Sequence, residues 1–351
     1  MLSSLSSNVV LAKARAKYGK RLKEKDYRNL LDCKSVAEVA AYLKANTDYH
    51  DVLTGINEYD IHRGQLEVLI KQKLFYHLSS FVRYELSVGE QLADYVIARA
   101  EIEEILDALM LMSAGRQEEY SQAAPLYLAK HTKIHMEQFS SIQTYGEFLD
   151  ALGSSVYRRL LAPFEPKPGE PVDVFAVENQ LYSYLFSHVQ EIIDHRVRGK
   201  TKKEVRELFQ GYIDLENYAR IIRMKKRFRA HPEFIEKNLL PFGSLKPKQL
   251  NALIHAETAN QAAAIFRTTS RGKKTANVEY NFVDELAQRI KFISGKHYIH
   301  FSSHPPVVLL SYIFLADTEV HNITTIVEGI RYQVSVDDIK KLLILPTDKA
   351  G

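Results

Sequence analysis

The sequence carries a single cysteine, Cys33, so no disulfide can form within the chain. Glycine (15) and proline (11) are scarce among 351 residues, which argues against the turn-rich plan of sandwiches and barrels. The longest apolar run, Val307 to Ala316, is about half of the roughly 20 residues needed to span a bilayer. No charged n-region followed by an apolar segment opens the sequence. These absences predict a cytoplasmic protein whose contact with any membrane is peripheral. Also missing are a GxSxG elbow, an HExxH pair and a Gly-rich dinucleotide loop, so no catalytic residue, cofactor or small-molecule substrate is expected.

What is present points to helices. Ala, Leu, Glu, Lys and Gln recur within a 46% hydrophobic composition, the mixture of an all-α protein. The chain is long enough for two or three domains, each burying its own core. Forty-seven basic against 43 acidic residues leave a net charge of +4, too small to argue for nucleic acid, and compatible with an acidic protein partner or a lipid surface.

An internal repeat is legible in the helix starts. Three places carry a Ser or Thr followed three residues later by Glu or Gln: Ser35 with Glu38, Thr144 with Glu147, Thr258 with Gln261. In such capping boxes the hydroxyl accepts from a first-turn amide while the Glu or Gln reaches back to the cap's own N–H. Apolar residues follow at matching offsets: Val36, Val39, Ala40, Leu43; Tyr145, Phe148, Leu149, Leu152; Ala259, Ala262, Ala263, Phe266. Another apolar residue stands five before each cap (Leu30, Phe139, Leu253), and the caps are 109 and 114 residues apart. A second helical segment follows each box (Gln65 to Phe81, Val177 to Ile193, Phe282 to Ile293), then a third starting at Glu101, Asp214 and Glu319. Those three acids are expected in a first turn, where the helix dipole favours them. Three small bundles of one plan can close around a threefold axis with a central opening or stack as an open array; the residues leave both open.

The ordered segments resemble the C/d family of rotor-stalk polypeptides from archaeal-type and vacuolar-type rotary ATPases along nearly the whole chain. The likeness rests on Asn8 to Leu22 (NVVLAKARAKYGKRL), Asp26 to Leu53, Asp214 to Phe228 (DLENYARIIRMKKRF) and Thr318 to Leu343. In the last stretch an acid, an Asn and apolar positions precede a Gly and a final short helix that Ser335 and Asp338 would cap. The first copy departs from the others by placing Glu104 where they have Asn217 and Asn322. The resemblance implies three helical-bundle domains (1–115, 116–229 and 230–351) arranged as a funnel around a pseudo-threefold axis. It also implies a non-catalytic rotor part on the cytoplasmic face of the membrane. Its partners would be the central-shaft subunits, held in the opening, and the membrane proteolipid ring. A repeat-built helical scaffold of another assembly is the alternative.

Arg220, Arg223, Lys226 and Arg227 belong to a basic run, Arg220 to Arg229, that contains no acid, and Arg220, Arg223 and Arg227 share a helix face. We expect this face to meet acidic groups of the shaft or the ring. Other features carry plainer readings. His131 and His135 have the spacing of zinc ligands without an HExxH or a Cys pair beside them. Ser270 to Thr275 (SRGKKT) lacks the first glycine of a phosphate loop, with Arg267 in its place, and has Lys274 where Ser or Thr is needed. Glu101, Glu103, Glu104 and Asp107 read as a solvated acidic face. Tyr298 and Phe301 with His304, Pro305 and Pro306 mark an interhelical loop.

Overall fold

A computed structural model describes residues 2–82, 89–122, 125 and 127–345, and among these the regular structure is entirely helical. One order of parts recurs three times, short helices and then two long ones, with the 18-residue α1 (Leu2–Gly19) standing ahead of the first. The first run is α2 (Glu24–Asp32), α3 (Val36–Asn46), α4 (His50–Leu53), then α5 (Arg63–Val82) and α6 (Gly89–Ser113). The second is α7 (Tyr145–Ala151) and α8 (Val156–Leu161), then α9 (Val174–His195) and α10 (Gly199–Arg223). The third is α11 (Pro232–Lys237), α12 (Pro247–Ile254), α13 (Ala259–Thr268) and α14 (Ser270–Lys274), then α15 (Val283–Phe301) and α16 (Pro305–Arg331). A last short helix, α17 (Val336–Leu342), follows.

All three expected caps form. The amides of Glu38, Glu147 and Gln261 donate to Ser35 Oγ (3.1 Å), Thr144 Oγ1 (3.2 Å) and Thr258 Oγ1 (3.1 Å). The reciprocal bond departs from expectation identically in each: Glu38, Glu147 and Gln261 accept from the residue before the cap, namely Lys34, Gln143 and Glu257. Leu30, Phe139 and Leu253, five residues before the caps, are fully buried.

The long helices touch in the order α5, α6, α9, α10, α15, α16, and α16 returns to α5, so the contacts form a closed cycle. Aromatic rings join non-neighbours: Phe209 of α10 meets Tyr95 of α6 at 5.6 Å and Phe314 of α16 at 6.0 Å. Helix α16 packs against α15, α1, α5 and α10, which explains why Val307 through Leu315 are buried on every side. The run that is too short to cross a membrane is the most enclosed stretch among the described residues, and no helix among them is long and apolar enough to cross one.

Each lobe of short helices packs between the end of one long helix and the start of another. Leu30, Val39 and Leu43 of the first lobe join Leu66 and Ile70 of α5, but also Ile323 and Ile326 of α16 and Ile339 of α17. Phe139, Phe148 and Leu152 join Ile105 and Leu109 of α6 and Leu181 of α9. Leu253, Ala262 and Phe266 join Leu215 and Ile221 of α10 and Leu286 of α15. Helices α16 and α17 are thus stapled to the first lobe. Gly272 shows why the SRGKKT segment needs its glycine for packing: a Cβ there would lie 1.9 Å from the carbonyl oxygen of Phe266.

Candidate functional site

The acids Glu101, Asp214 and Glu319 lie well inside α6, α10 and α16 rather than in first turns, which corrects the dipole reading. Those helices begin 12 to 15 residues earlier, α16 with Pro305 as its first residue. Each acid instead grips the next lobe on both sides of its cap. Glu101 accepts from Thr132 Oγ1 (2.5 Å) and the Tyr157 hydroxyl (2.8 Å). Asp214 accepts from the Ser244 and Leu245 amides (2.7 and 3.1 Å) and pairs with Arg271 at 3.4 Å. Glu319 accepts from the Leu22 amide (2.7 Å) and the Tyr49 hydroxyl (2.9 Å). Tyr157, Arg271 and Tyr49 each stand 13 or 14 residues after their cap. Burial pushes the carboxyls of Glu101 and Glu319 upward against these hydrogen bonds.

Three residues on from each acid, Asn217 and Asn322 act alike. Asn217 donates to the Leu240 carbonyl (2.8 Å) and accepts from the Leu240 amide (2.7 Å); Asn322 does the same to Ile344 (2.7 and 3.0 Å). Glu104 accepts from the Tyr120 hydroxyl at 2.7 Å and is 7% exposed, so burial raises its carboxyl to about 7 despite that hydrogen bond and nearby Lys71. The solvated acidic face expected from Glu101 to Asp107 is therefore overturned for Glu101 and Glu104, while Asp107 stays exposed.

Inside the cycle of long helices runs a chain of fixed charges. Asp317 of α16 is bound by Arg99 of α6 (2.6 Å) and Lys291 of α15 (3.0 Å). Arg99 also reaches Glu103 (3.1 Å), and Lys71 of α5 joins Glu103 (3.7 Å) and Glu67 (3.1 Å). On the far side Arg220 of α10 meets Glu178 of α9 at 3.5 Å, and Glu216 of α10 takes a hydrogen bond from Tyr212. Burial opposes the charges of Asp317, Arg99 and Lys71, yet Arg99 and Lys291 hold the Asp317 carboxyl far below its ordinary range, and Glu103 with Glu67 holds Lys71 charged. Glu216 is shifted upward because burial outweighs its Tyr212 bond and the nearby Lys291. A small open cleft of about 60 Å³, lined by Lys71, Arg99, Glu103 and Asp317, leads in between α5, α6 and α16. Fixed charges of both signs in such a cleft suit the recognition of a polar polypeptide surface. Among the described residues no group of three or more His, Cys, Asp or Glu is placed to hold a metal ion.

The basic run divides. Arg220 is 4% exposed and donates inward to Asn179 (2.9 Å) and the Asn238 carbonyl (3.1 Å), so it does not share an outer face with the others. Helix α10 widens into a π turn, Met224–Phe228, which changes the register after Arg223. Arg223 pairs with Asp284 (3.0 Å), while Lys226 and Arg227 are exposed. These three, with Arg229, Arg267 and exposed Phe228 nearby, border a broad basic groove against α13 and the start of α15. The interhelical loop expected from Tyr298 to Pro306 is shorter than that: Tyr298 and Phe301 lie in the last turn of α15, Pro305 and Pro306 open α16, and only residues 302–304 join them.

Sequence patterns hid the inner charges because their partners lie on other helices, Asp317 of α16 with Arg99 of α6 and Lys291 of α15; Asp317, directly after the run Val307 to Ala316, was the available signal. Comparison with known proteins gives the arrangement a context. A family model described as ATP synthase (C/AC39) subunit matches residues 10–342. A protein of Methanosarcina acetivorans, named as the C subunit of an A-type ATP synthase, is 26% identical over 300 residues, covering 81% of this chain and 72% of its own length. A protein of the same name from Methanosarcina mazei is 23% identical over 360 residues, covering 97% of this chain and 94% of its own.

Proposed function

Since the chain belongs to the ATP synthase (C/AC39) subunit family, we propose that it is a non-catalytic rotor part of a rotary ATPase, the socket joining the central shaft to the membrane proteolipid ring. It sits peripherally on the cytoplasmic face and has no substrate of its own. Three repeats, 1–115, 116–229 and 230–351, close as a collar around a pseudo-threefold axis, and the charged cleft inside receives the foot of the shaft.

The observation that carries this reading is the closed cycle of six long helices with charges directed inward. Each repeat's acid grips the following lobe, and Glu319 of the last grips Leu22 and Tyr49 of the first. A collar under torque needs such closure, because an open array would spread under the shear that the shaft applies. Arg223, Lys226 and Arg227 supply a second contact, with acidic groups of the shaft or ring, on the outside. Arg220 takes part only indirectly, by holding α9 and the Asn238 turn in place.

Purification of the tagged chain from detergent-solubilised membranes tests the assignment. Shaft and proteolipid polypeptides should come with it. Recovery of the chain alone, or with unrelated proteins, would point to a scaffold of another assembly.

A further inference from the structure

At one end of the helix cycle α9 turns into α10 through Arg196 to Arg198, and beside it α15 turns into α16. The two turns are tied together: Ser302 Oγ donates to Glu204 (2.9 Å), and Thr201 Oγ1 lies 3.0 Å from His304 Nδ1. Arg15 of α1 seals the carbonyls at the end of α15, donating to Ile299 and Ser302 at 2.8 Å each.

Arg196, Arg198, Lys200 and Lys203 are exposed on this end, and among the described residues none of their side chains has a hydrogen bond or ion pair. The acids around them are engaged elsewhere. Asp194 is taken by Lys202 (3.0 Å) and Arg206 (2.6 Å), Glu204 by Ser302, and Glu207 by Lys274 (2.8 Å). Glu191, one turn back in α9, faces His188 at 4.0 Å. Lys200 also stands in the first turn of α10, which holds no acid, so it opposes the positive end of the helix dipole. Local stability does not explain a cation in that position. Phe301, 77% exposed, ends α15 on the neighbouring turn.

We propose that this end is a lipid-facing surface, with the four cations against anionic headgroups and the Phe301 ring in the interface. Unpaired cations projecting from a turn beside an exposed aromatic fit a diffuse, laterally mobile layer of negative charge. A basic groove such as that beside Arg227 fits a shaped protein surface better. The inference stands apart from the rotor reading, since a vesicle needs neither shaft nor ring.

The purified full chain should cosediment with phosphatidylcholine vesicles containing phosphatidylglycerol, in a salt-sensitive way, and not with phosphatidylcholine alone. Replacing Arg196, Arg198, Lys200 and Lys203 together by Gln should weaken that binding about a hundredfold, at a few-fold per cation. Phe301→Ser should weaken it less, and replacing Lys130 and Lys133, exposed in the segment that precedes α7, by Gln not at all. Lys200→Gln alone should lower binding while slightly raising the melting temperature, which separates lost contact from misfolding. Equal binding to neutral vesicles, or undiminished binding by the fourfold variant, would overturn the proposal. So would a failure of the chain to bind any vesicle while the fourfold variant loses capture of solubilised ring or shaft, an outcome that gives the surface to a protein.

Discussion

Asn217 and Asn322 occupy matching places in α10 and α16, and each closes a junction by holding both the N–H and the C=O of one backbone residue. Glu104, at the corresponding place in α6, meets one tyrosine hydroxyl. The difference is chemical before it is geometric. A carboxamide donates and accepts at once and has no proton to lose, so it can satisfy a peptide group in a buried place at any pH. A carboxylate only accepts, and in a buried place it must either hold its proton or bear the cost of a charge. One plan thus yields two amide contacts indifferent to pH and one carboxyl contact that titrates near neutrality.

The largest consequence should be in the amide junctions. Asn322→Leu would leave the Ile344 N–H and C=O buried without partners, at a cost of about 3–5 kcal/mol, and Asn217→Leu about as much. Glu104→Leu strands only the Tyr120 hydroxyl and should cost about 1–3 kcal/mol. Denaturant midpoints of the three variants at one pH measure the gap. Equal losses would mean that the amide clamps hold no more than the single bond.

Next comes the pH dependence of the odd junction. A glutamate titrates near 4.5 in the unfolded chain and Glu104 near 7 in the fold. Between those values the folded protein keeps a proton that the unfolded chain has released, so Glu104's contribution falls as pH rises through this window and stays low above it. The fall is at most about 3 kcal/mol. Glu104→Gln removes it: the variant should be more stable than the natural protein by about 1–3 kcal/mol at pH 8 and nearly equal to it at pH 5. Parallel stability curves across this range would refute the titrating junction.

Smaller effects test how alike the lobes are. Ser35→Ala, Thr144→Ala and Thr258→Ala each remove one cap bond of the same geometry and should each cost about 1 kcal/mol. A cap that costs nothing would mark a lobe held by something other than its helix start. Smallest for the fold, Arg223→Glu with Arg227→Glu should leave stability within about 0.5 kcal/mol yet weaken binding to isolated shaft about tenfold at low salt. Unchanged affinity would remove those residues from the interface.

The repeat was legible in the sequence because its signals are local: a hydroxyl, an amide or acid three residues on, and an apolar stripe, all within one or two turns of Ser35, Thr144 and Thr258. What the three acids do was not legible, since their partners are distant along the chain, 297 residues in the case of Glu319 and Leu22. Their helices also begin with residues that read as loop, Gly89, Gly199 and Pro305, so the acids looked like first-turn residues. Arg220 was misjudged for a similar reason. Periodicity placed it with Arg223 and Arg227, but a buried guanidinium announces itself only through Asn179 and the Asn238 carbonyl, and the π turn that breaks the register has no plain sequence signal.

The charged interior of the helix cycle is the place to test the socket directly. Cys33 is the sole cysteine, so Cys33→Ser gives a clean background for Glu103→Cys, which can carry a short photoactivatable cross-linker into the cleft of the assembled complex. A shaft that seats inside the collar predicts a covalent adduct with a central-shaft polypeptide from this position. An adduct from an outer site such as Lys226→Cys, with none from the cleft, would contradict it.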